Sequence, residues 1–318
     1  SPDTAIALGR LGGLGVLNLE GLWTRHEDPA PLLEEIAALE AAPGSPEVTR
    51  RLQEIYDAPI QAELITERLA QIREAGVVVA GSLTPQNTQQ FYKTVLAAGV
   101  DLFVIRGTTV SAEHVSSTHE PLDLKQFIYE LDVPVIVGGA AGYTPALHLM
   151  RTGAAGVLVG FGGGASTTTR RALGIRVPMA TAISDIAEAR RDYMDESGGR
   201  YVQVIADGGL GTSGQIVKAL AMGADAVMLG TALARAAEAP GAGWHWGLEA
   251  AHPDLPRGHR THVGTVAPLQ ELLWGPGHQT DGTSNLMGAL KRAMATTGYT
   301  ELKDFQKVEV IVAPTHVM

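Results

Sequence analysis

Residues 201–233 carry the sequence YVQVIADGGLGTSGQIVKALAMGADAVMLGTAL, in which one strand–turn–helix unit leads into the next. The two apolar runs, 201–207 and 226–230, are short and rich in β-branched residues, and each ends in an acidic residue or a glycine. Residues 213–222 between them have the apolar spacing of a helix, and Gly223 follows where a helix C-cap is expected. Continuous apolar strands that alternate with helices are typical of a parallel sheet covered on both faces. This stretch therefore predicts an α/β fold.

The same unit recurs along most of the chain. The apolar runs expected to form strands are residues 14–19, 77–80, 102–106, 135–138, 156–160, 201–207 and 226–230. Helical patterns cover residues 4–10, 66–74, 86–98, 144–152, 182–196, 213–222, 285–297 and 301–306. Repeated units of this size suit two folds, a (β/α)8 TIM barrel and a doubly wound open sheet. The first strand has no GxGxxG motif after it, which favours the TIM barrel.

A closed barrel needs eight strands, and the sequence offers seven strong ones. Residues 1–3 are Ser-Pro-Asp, which is the composition of a helix start rather than of a strand. The first strand of the barrel is therefore expected to be missing from this chain. The run at 308–313 (VEVIVA) is expected to be a peripheral strand, with a role in filling the gap as the alternative.

The pattern predicts a single TIM-barrel domain over residues 1–318, with two segments that break its period. Residues 43–59 form a short predicted helix between prolines, and residues 239–281 are rich in Gly, Pro, His and Trp. A long irregular segment after a barrel strand is usually a lid or an oligomer contact, so residues 239–281 are predicted to be a lid. The tripeptide Trp244–His245–Trp246 has no metal-ligand spacing and is expected on the loop surface.

The composition excludes several classes of function. The chain has 318 residues, a formal net charge of −10 at pH 7 and no cysteine. Without cysteine there is no disulfide, no thiolate zinc site and no cysteine nucleophile. The acidic balance, with no run of Lys and Arg, argues against a nucleic-acid polymer as partner. No apolar stretch is long enough to span a bilayer and the N-terminus lacks a signal layout, so a soluble, cytoplasmic protein without a membrane partner is expected.

A glycine-rich segment follows the predicted strand at 156–160. Residues 159–170 have the sequence VGFGGGASTTTR, which combines four glycines with hydroxyl side chains that include Ser166. Glycine lets the backbone approach a ligand closely, and the amides and hydroxyls of such a segment bind a phosphate or a cation. A flexible loop without a ligand is the alternative interpretation.

Two further candidate segments follow the last two predicted strands. The carboxylate of Asp207 suits the two hydroxyls of a ribose, and it lies beside Gly208 and Gly209. An aspartate that only caps a turn is the alternative. Gly230 and Thr231 end the next strand and start a helix, so their amides suit an anion. The last two strands of a TIM barrel commonly form a phosphate site, so these segments predict a phosphate cradle.

Longer motifs carry a resemblance to a known family. They are GVLVGFGGGASTTTR at 156–170, an ADGG–TSG helix start, and GADAVMLGTALA at 223–234. The chain resembles the IMP dehydrogenase/GMP reductase family, and most closely its actinobacterial IMP dehydrogenase-related paralogues, which share the RTGAAGVLVG and ARRDYMDESGGRY blocks. The resemblance implies a TIM barrel, usually a homotetramer, here without the tandem CBS domains of the dehydrogenases. It also implies a purine nucleoside monophosphate (IMP or GMP) as ligand, NAD or NADP as cofactor, and a place in GMP biosynthesis.

The resemblance assigns roles to individual residues. The implied substrate-binding residues are Asp207, Gly208, Gly209, Gly230, Thr231 and Ser166. Asp207 would hold the ribose, and the amides of Gly209, Gly230 and Thr231 would hold the phosphate. Gly160 and Gly162 lie in the loop that binds potassium in the dehydrogenases, so potassium is a further implied cofactor. The implied catalytic positions are Thr167 and Thr169.

The chain departs from the family pattern at positions that matter for chemistry. The family motif GPGSxCTTR corresponds here to GGGASTTTR, so Thr167 replaces the catalytic cysteine and Ala165 replaces a phosphate-binding serine. A thiolate is nucleophilic near neutral pH, whereas a threonine hydroxyl without an activating base is not. Thr169 keeps the position of a threonine that activates the leaving amine in the reductases. Arg106 stands where the family has an aspartate for the cofactor ribose, so it would face an anionic cofactor group or pair with an acid.

Two hypotheses follow from the residues and the resemblance. The first is a redox enzyme that acts at C2 of a purine nucleotide with NAD or NADP. The second is a catalytically silent paralogue that binds the nucleotide and has a regulatory or assembly role. The phosphate cradle is compatible with both. The replacement of the cysteine by Thr167 favours the second, whereas the family resemblance favours the first.

Overall fold

The structure is a computed structural model that describes residues 1–39, 46–107, 110–111, 122–161, 163–167, 169–247 and 260–311. Its main sheet consists of β1 (Val16–Asn18), β2 (Ala80–Leu83), β3 (Leu102–Arg106), β4 (Val135–Ala140), β5 (Gly156–Val159), β6 (Gln203–Asp207) and β7 (Ala226–Met228). These strands are parallel and lie in the order in which they occur along the chain. A separate antiparallel hairpin consists of β8 (Trp244–His245) and β9 (Thr261–His262).

Helices connect the strands and cover the outer face of the sheet. They are α1 (Pro2–Arg10), α2 (Ala30–Ala38), α3 (Pro46–Tyr56), α4 (Ala62–Glu74), α5 (Pro85–Ala97), α6 (Leu124–Tyr129), α7 (Tyr143–Arg151), α8 (Thr169–Ala172), α9 (Met179–Glu196), α10 (Ser213–Ala221), α11 (Thr231–Ala234), α12 (Leu269–Trp274), α13 (Leu286–Thr296) and α14 (Leu302–Phe305). A turn of 3-10 helix spans Leu22–Thr24. Local signals set several helix starts, such as Thr84 at the N-cap of α5 and the capping box of Thr212 and Gln215 at α10.

Side chains from alternate positions of the strands form two separate cores. The larger core lies between the sheet and the helices and includes Phe103 and Ile105 of β3. The smaller core contains the residue between them, Val104, together with Ile136, Leu158 and Ile205 of the next three strands. Because strand side chains alternate between faces, this smaller core lies on the inner face of the sheet. Val16 of β1 and Met228 of β7 pack against the same inner core.

Contacts between distant strands show that the sheet is curled. In a flat sheet β3 and β6 would lie about 14 Å apart, since three strand spacings separate them. Yet the side chain of Arg106 at the end of β3 forms an ion pair with Asp207 at the end of β6. The fold is a (β/α)8 TIM barrel of which the described residues contain seven strands, and among these β1 and β7 are the outermost strands of the sheet.

The structure corrects three expectations about secondary structure. The second strand is Ala80–Leu83 rather than 77–80, because Val77 packs against α1 while the amide of Val79 binds the carboxylate of Asp101. Of the run at 308–313, residues 308–311 form no strand, and residues 312–313 lie outside the described residues. The irregular segment 239–281 contains the β8–β9 hairpin and α12, with residues 248–259 outside the described part.

The insertion between β1 and β2 is a pair of helices, not a single one. Helix α3 falls within the predicted segment 43–59, whereas α2 precedes it and was not expected. Their apolar faces pack together in a small core formed by Leu22, Leu33, Ile36, Val48, Leu52 and Ile55. This core is separate from those of the barrel, so the helix pair forms its own layer beside it.

Candidate functional site

The carboxyl ends of β5, β6 and β7 meet at one edge of the sheet, because these three strands are neighbours. The glycine-rich loop after β5 contacts the ends of the other two strands. A Cβ atom at Gly163 would lie 2.7 Å from the carbonyl carbon of Gly208 and 2.8 Å from the amide nitrogen of Gly209. The amide of Ala165 donates a hydrogen bond of 3.2 Å to the Thr231 hydroxyl. The structure thus brings the three predicted segments together at the mouth of the barrel.

Two of the predicted glycines need a backbone that other residues rarely adopt. Gly208 has φ +107° and Gly209 has φ +74°, so the chain turns sharply after Asp207. Gly160 also has a positive φ, and a Cβ there would lie 2.8 Å from the carbonyl oxygen of Asp207. This explains why glycine follows both strands, since a side chain there would separate the ends of β5 and β6 at the mouth.

Asp207 forms an ion pair with Arg106 across the mouth of the barrel. The Nε of Arg106 lies 3.0 Å from Oδ2 of Asp207, and the two side chains are 54% and 12% exposed respectively. The structure therefore places Arg106 beside the predicted ribose-binding carboxylate. A ligand that uses the carboxylate of Asp207 has to displace or share this guanidinium.

The predicted catalytic threonines contact one another. The hydroxyls of Thr167 and Thr169 lie 3.1 Å apart, and Thr169 is fully buried at the start of α8. Ser166 is also buried, although its neighbour Ala165 is exposed. Thr167 is thus part-buried, whereas Ser166 before it and Thr169 after it are buried.

Gly230 and Thr231 lie at the start of α11, which is one turn long. The amide of Ala234 binds the carbonyl of Gly230, so this turn is regular. The hydroxyl of Thr231 contacts both the amide of Ala165 and Nδ1 of His245, the latter at 3.2 Å. Thr231 is therefore the residue at which the loop, α11 and the β8–β9 hairpin meet.

His245 is a site residue that the sequence patterns did not reveal. Trp244, His245 and Trp246 were expected on the loop surface, but all three are only partly exposed, and His245 contacts Thr231. Burial lowers the pKa of His245 and so favours its neutral imidazole. Thr261 of β9 adds a second contact, since its hydroxyl donates to the carbonyl of Ala165 at 3.3 Å. The unusual density of tryptophan around His245 was the one signal available in the sequence.

Donor chemistry indicates which cofactor groups the described residues fit. Arg106 has a half-exposed guanidinium at the mouth, which suits a phosphate or another anionic group of a dinucleotide. Gly160 follows β5 in the predicted potassium loop, whereas Gly162 lies outside the described residues. In the described part of the chain, no group of three or more His, Asp or Glu side chains is placed to hold a metal ion. Within the same residues, no helix has the length and apolarity needed to cross a membrane.

Comparisons with known proteins show which family the chain resembles. The family model for the IMP dehydrogenase/GMP reductase domain matches residues 1–247. An uncharacterized oxidoreductase of Mycobacterium leprae is 55% identical over 317 residues, which is 98% of this chain and 84% of that protein. The inosine-5'-monophosphate dehydrogenase of Thermoplasma acidophilum is 43% identical over 144 residues, or 45% of this chain and 27% of that enzyme.

A solved structure has the same fold over nearly the whole chain. The IMP dehydrogenase/GMP reductase-like protein of Corynebacterium glutamicum superimposes with a TM-score of 0.90 at 50% sequence identity, covering 98% of this chain and 82% of that one. Together with the family model, this likeness shows that the chain belongs to the IMP dehydrogenase/GMP reductase family.

Proposed function

We propose that the mouth of the barrel binds a purine nucleoside monophosphate, IMP or GMP. The observation that carries the proposal is the meeting of the glycine-rich loop with both neighbouring strand ends, through Gly163 at Gly208–Gly209 and Ala165 at Thr231. Backbone amides and hydroxyls from three segments around one point suit the dianionic phosphate of a nucleotide. Family membership supports the same ligand.

In this proposal each part of the site binds a different part of the nucleotide. The carboxylate of Asp207 accepts the two ribose hydroxyls once Arg106 has moved away from it. The amides of Gly209, Gly230 and Thr231, with the hydroxyl of Ser166, hold the phosphate. The purine then extends from Asp207 toward Thr167 and Thr169, which are the positions of the family's catalytic chemistry.

A nicotinamide cofactor, NAD or NADP, supplies or accepts the hydride at purine C2 when it is bound. Arg106 is the residue of this chain that would hold an anionic group of that cofactor. The carbonyls of Gly160 and Gly162 would bind potassium near the same loop. We also propose the homotetramer of the family, which light scattering of the purified chain would detect.

A second candidate function has one specific observation in its favour. The chain contains no cysteine, and the hydroxyl of Thr167 contacts that of Thr169. A hydroxyl cannot form the thiol adduct at C2 through which a cysteine acts, so the covalent route of the family is closed to this chain. The chain would then bind the nucleotide without turnover and have a regulatory or assembly role.

Calorimetry with GMP and with IMP tests nucleotide binding directly. Asp207→Asn removes the charge that accepts the ribose hydroxyls, and charge-assisted hydrogen bonds of this kind correspond to roughly tenfold or more in Kd. Asp304→Asn is the matched control, since Asp304 lies on α14 and forms a surface ion pair with Lys307. Equal affinities of both variants would contradict the proposal.

Turnover is measured separately from binding. The absorbance of reduced nicotinamide is followed with GMP plus NADPH and with IMP plus NAD. Turnover in either assay identifies the redox enzyme, whereas nucleotide binding without turnover identifies the silent paralogue.

A further inference from the structure

The β8–β9 hairpin contacts the proposed nucleotide site on one side. His245 of β8 contacts the Thr231 hydroxyl, and Thr261 of β9 binds the carbonyl of Ala165. A Cβ at Gly247, two residues after His245, would lie 3.9 Å from the hydroxyl of Ser166. The hairpin thus lies against Thr231 and Ser166, which we assign to phosphate binding, and against Ala165 beside them.

The same hairpin is attached on its other side to the α2–α3 helix pair. The indole of Trp246 donates a hydrogen bond of 2.9 Å to the hydroxyl of Tyr56 at the end of α3. The indole also packs against the apolar core of the helix pair. Tyr56 is itself fixed to the barrel, because Arg25 donates to its carbonyl at 2.8 Å.

A second attachment comes from Arg260, the residue that precedes β9. Its side chain is buried, and its guanidinium lies 3.7 Å from the centre of the Trp244 ring. The guanidinium donates to the carbonyls of Ile36 and Leu39 at the end of α2. Free backbone carbonyls at a helix end attract a cation, so this contact is favourable without an acidic partner.

These contacts define a route from the helix pair to the site. Tyr56 and Arg260 hold the residues on either side of His245, and His245 contacts the site through Thr231. We propose that Tyr56 and Arg260 are positioning residues, which hold the hairpin against the phosphate-binding end and thereby set its affinity for nucleotide. This inference rests on the proposed function for the identity of the ligand, but the attachment itself is measured without any ligand.

The test compares two variants, each of which lacks one tyrosine hydroxyl. Tyr56→Phe deletes the acceptor of Trp246, and Tyr129→Phe is the matched control because Tyr129 is 90% exposed on α6. Hydrogen exchange of residues 244–247 and 260–265 without nucleotide is expected to be faster in Tyr56→Phe only. The loss of one buried hydrogen bond is expected to raise the Kd for GMP roughly three- to tenfold.

A double-mutant cycle separates positioning from general destabilisation. Trp246→Phe deletes the donor of the same hydrogen bond, so its effect on the Kd for GMP and that of Tyr56→Phe are expected to be non-additive. Additive effects would show that the two residues act independently and would overturn the proposal.

The remaining outcomes are also decisive. The proposal is overturned if the hydrogen exchange of the hairpin is equally fast in Tyr56→Phe and Tyr129→Phe. It is also overturned if exchange is faster in Tyr56→Phe but the Kd for GMP is unchanged. If the wild-type chain binds neither GMP nor IMP, the proposed function fails instead. In that case the hydrogen exchange of residues 163–167 in Tyr56→Phe shows whether the helix pair positions the loop. If this exchange equals that of the wild type, the inference is overturned.

Discussion

The side chain of Thr167 differs from cysteine mainly in its acidity. A cysteine thiol has a pKa of about 8.5 and is partly ionised near neutral pH, whereas an alcohol is not. This substitution is visible in the sequence alone. The contact between the hydroxyls of Thr167 and Thr169 is not, because it depends on how the loop enters α8.

Thr167→Cys is therefore expected to create turnover if the rest of the site is intact. The thiolate provides the nucleophile that the wild-type chain lacks, so the nicotinamide absorbance changes with GMP plus NADPH or with IMP plus NAD. Thr167→Ala serves as the control and is expected to leave the calorimetric Kd for GMP within about twofold, since a hydroxyl bonded within the protein contributes little to binding. A Thr167→Cys variant that binds GMP but shows no turnover would contradict this expectation.

Gly163 is the residue at which the loop approaches the Gly208–Gly209 turn most closely. A methyl group at Gly163 would meet backbone atoms at 2.7 to 2.8 Å, which cannot move as a flexible side chain can. Gly163→Ala is expected to displace the loop and to weaken GMP binding by roughly tenfold, since overpacking of a rigid contact costs about 1–3 kcal/mol. Calorimetry gives the Kd, and exchange of residues 163–167 reports the loop.

Gly164→Ala is the matched control for this substitution. Among the described residues, a Cβ at Gly164 would meet the methyl group of Thr167 at 3.7 Å, which is an ordinary van der Waals contact. The two variants change the same atom in adjacent residues, so similar Kd values for both would show that close approach of the loop is irrelevant to binding.

Residue identities indicated most members of the site, but not their partners. Glycines at strand ends and the carboxylate of Asp207 were recognisable because each follows an apolar run. The pairing of Asp207 with Arg106 was open, since the two residues are 101 positions apart and their contact requires the curl of the sheet. His245 was missed for the same reason, because its partner Thr231 belongs to another element.

At the scale of single elements, the helices predicted from apolar periodicity are present in the structure with bounds close to the predicted ones, whereas the second strand is shifted. Three consecutive valines at 77–79 predict a strand, yet Val78 is 55% exposed and the sheet begins at Ala80. The β-propensity of the three valines does not decide where the strand begins. Pairing with β1 decides it, since the small residues Ala80 and Gly81 fit opposite Val16 and Leu17.

Helix α14 is attached to the barrel in part through a buried carboxylate. Asp225 precedes β7 and accepts hydrogen bonds from Arg190 at 2.6 Å, from the Tyr201 hydroxyl at 2.7 Å and from the amide of Val204 at 2.8 Å. Lys303 of α14 also contacts it. Burial alone would raise the pKa of Asp225, but the hydrogen bonds from Lys303, Val204 and Tyr201 and the charge of Arg190 outweigh it and lower the pKa.

Asp225→Asn is expected to reduce the free energy of unfolding by about 3 kcal/mol at neutral pH, because Arg190 then loses its buried partner. The pKa of Asp225 is depressed in the folded state, so its stabilising contribution is complete above an unfolded pKa of about 3.9. The contribution is lost as the pH falls through the lower folded value. Urea titrations at several pH values are expected to show the two proteins converging in acid.

Glu196→Gln is the control for the Asp225 substitution. It breaks the ion pair with Arg151, in which both side chains are 47% exposed. Exposed pairs contribute little to stability, so the change is expected to be much smaller than for Asp225→Asn. A loss of similar size in both variants would show that burial of the pair is not the source of the effect.

At the scale of the whole molecule, the periodic strand–helix units were enough to predict the barrel and its missing strand. The seven strands of the main sheet follow the order of the seven predicted runs, with the second strand displaced from its run. The hairpin and the helix pair were not predicted as such, because their packing depends on contacts between segments about 200 residues apart, such as Trp246 with Tyr56. Spacing along the sequence carries no information about contacts of that kind.

The strands at the two ends of the sheet are expected to exchange amide hydrogens faster than those in its centre. Strand β5 is buried throughout and has neighbours on both sides, whereas β1 and β7 each pair on one side in the described residues and are partly exposed. Opening an edge strand breaks fewer hydrogen bonds, so its protection is lower. Exchange followed by mass spectrometry would contradict this if β1, β5 and β7 were equally protected, as they would be in a closed ring.

The ion pair across the barrel mouth has a consequence for the kinetics of association. Arg106 forms an ion pair with Asp207, so a ligand that binds this carboxylate binds only after the guanidinium has moved away from it. Its observed association rate then rises with concentration only up to a plateau, which equals the rate at which the pair opens. Because Arg106 is half exposed, salt weakens the ion pair and raises this plateau. The same salt also weakens the attraction between Arg106 and a negatively charged ligand.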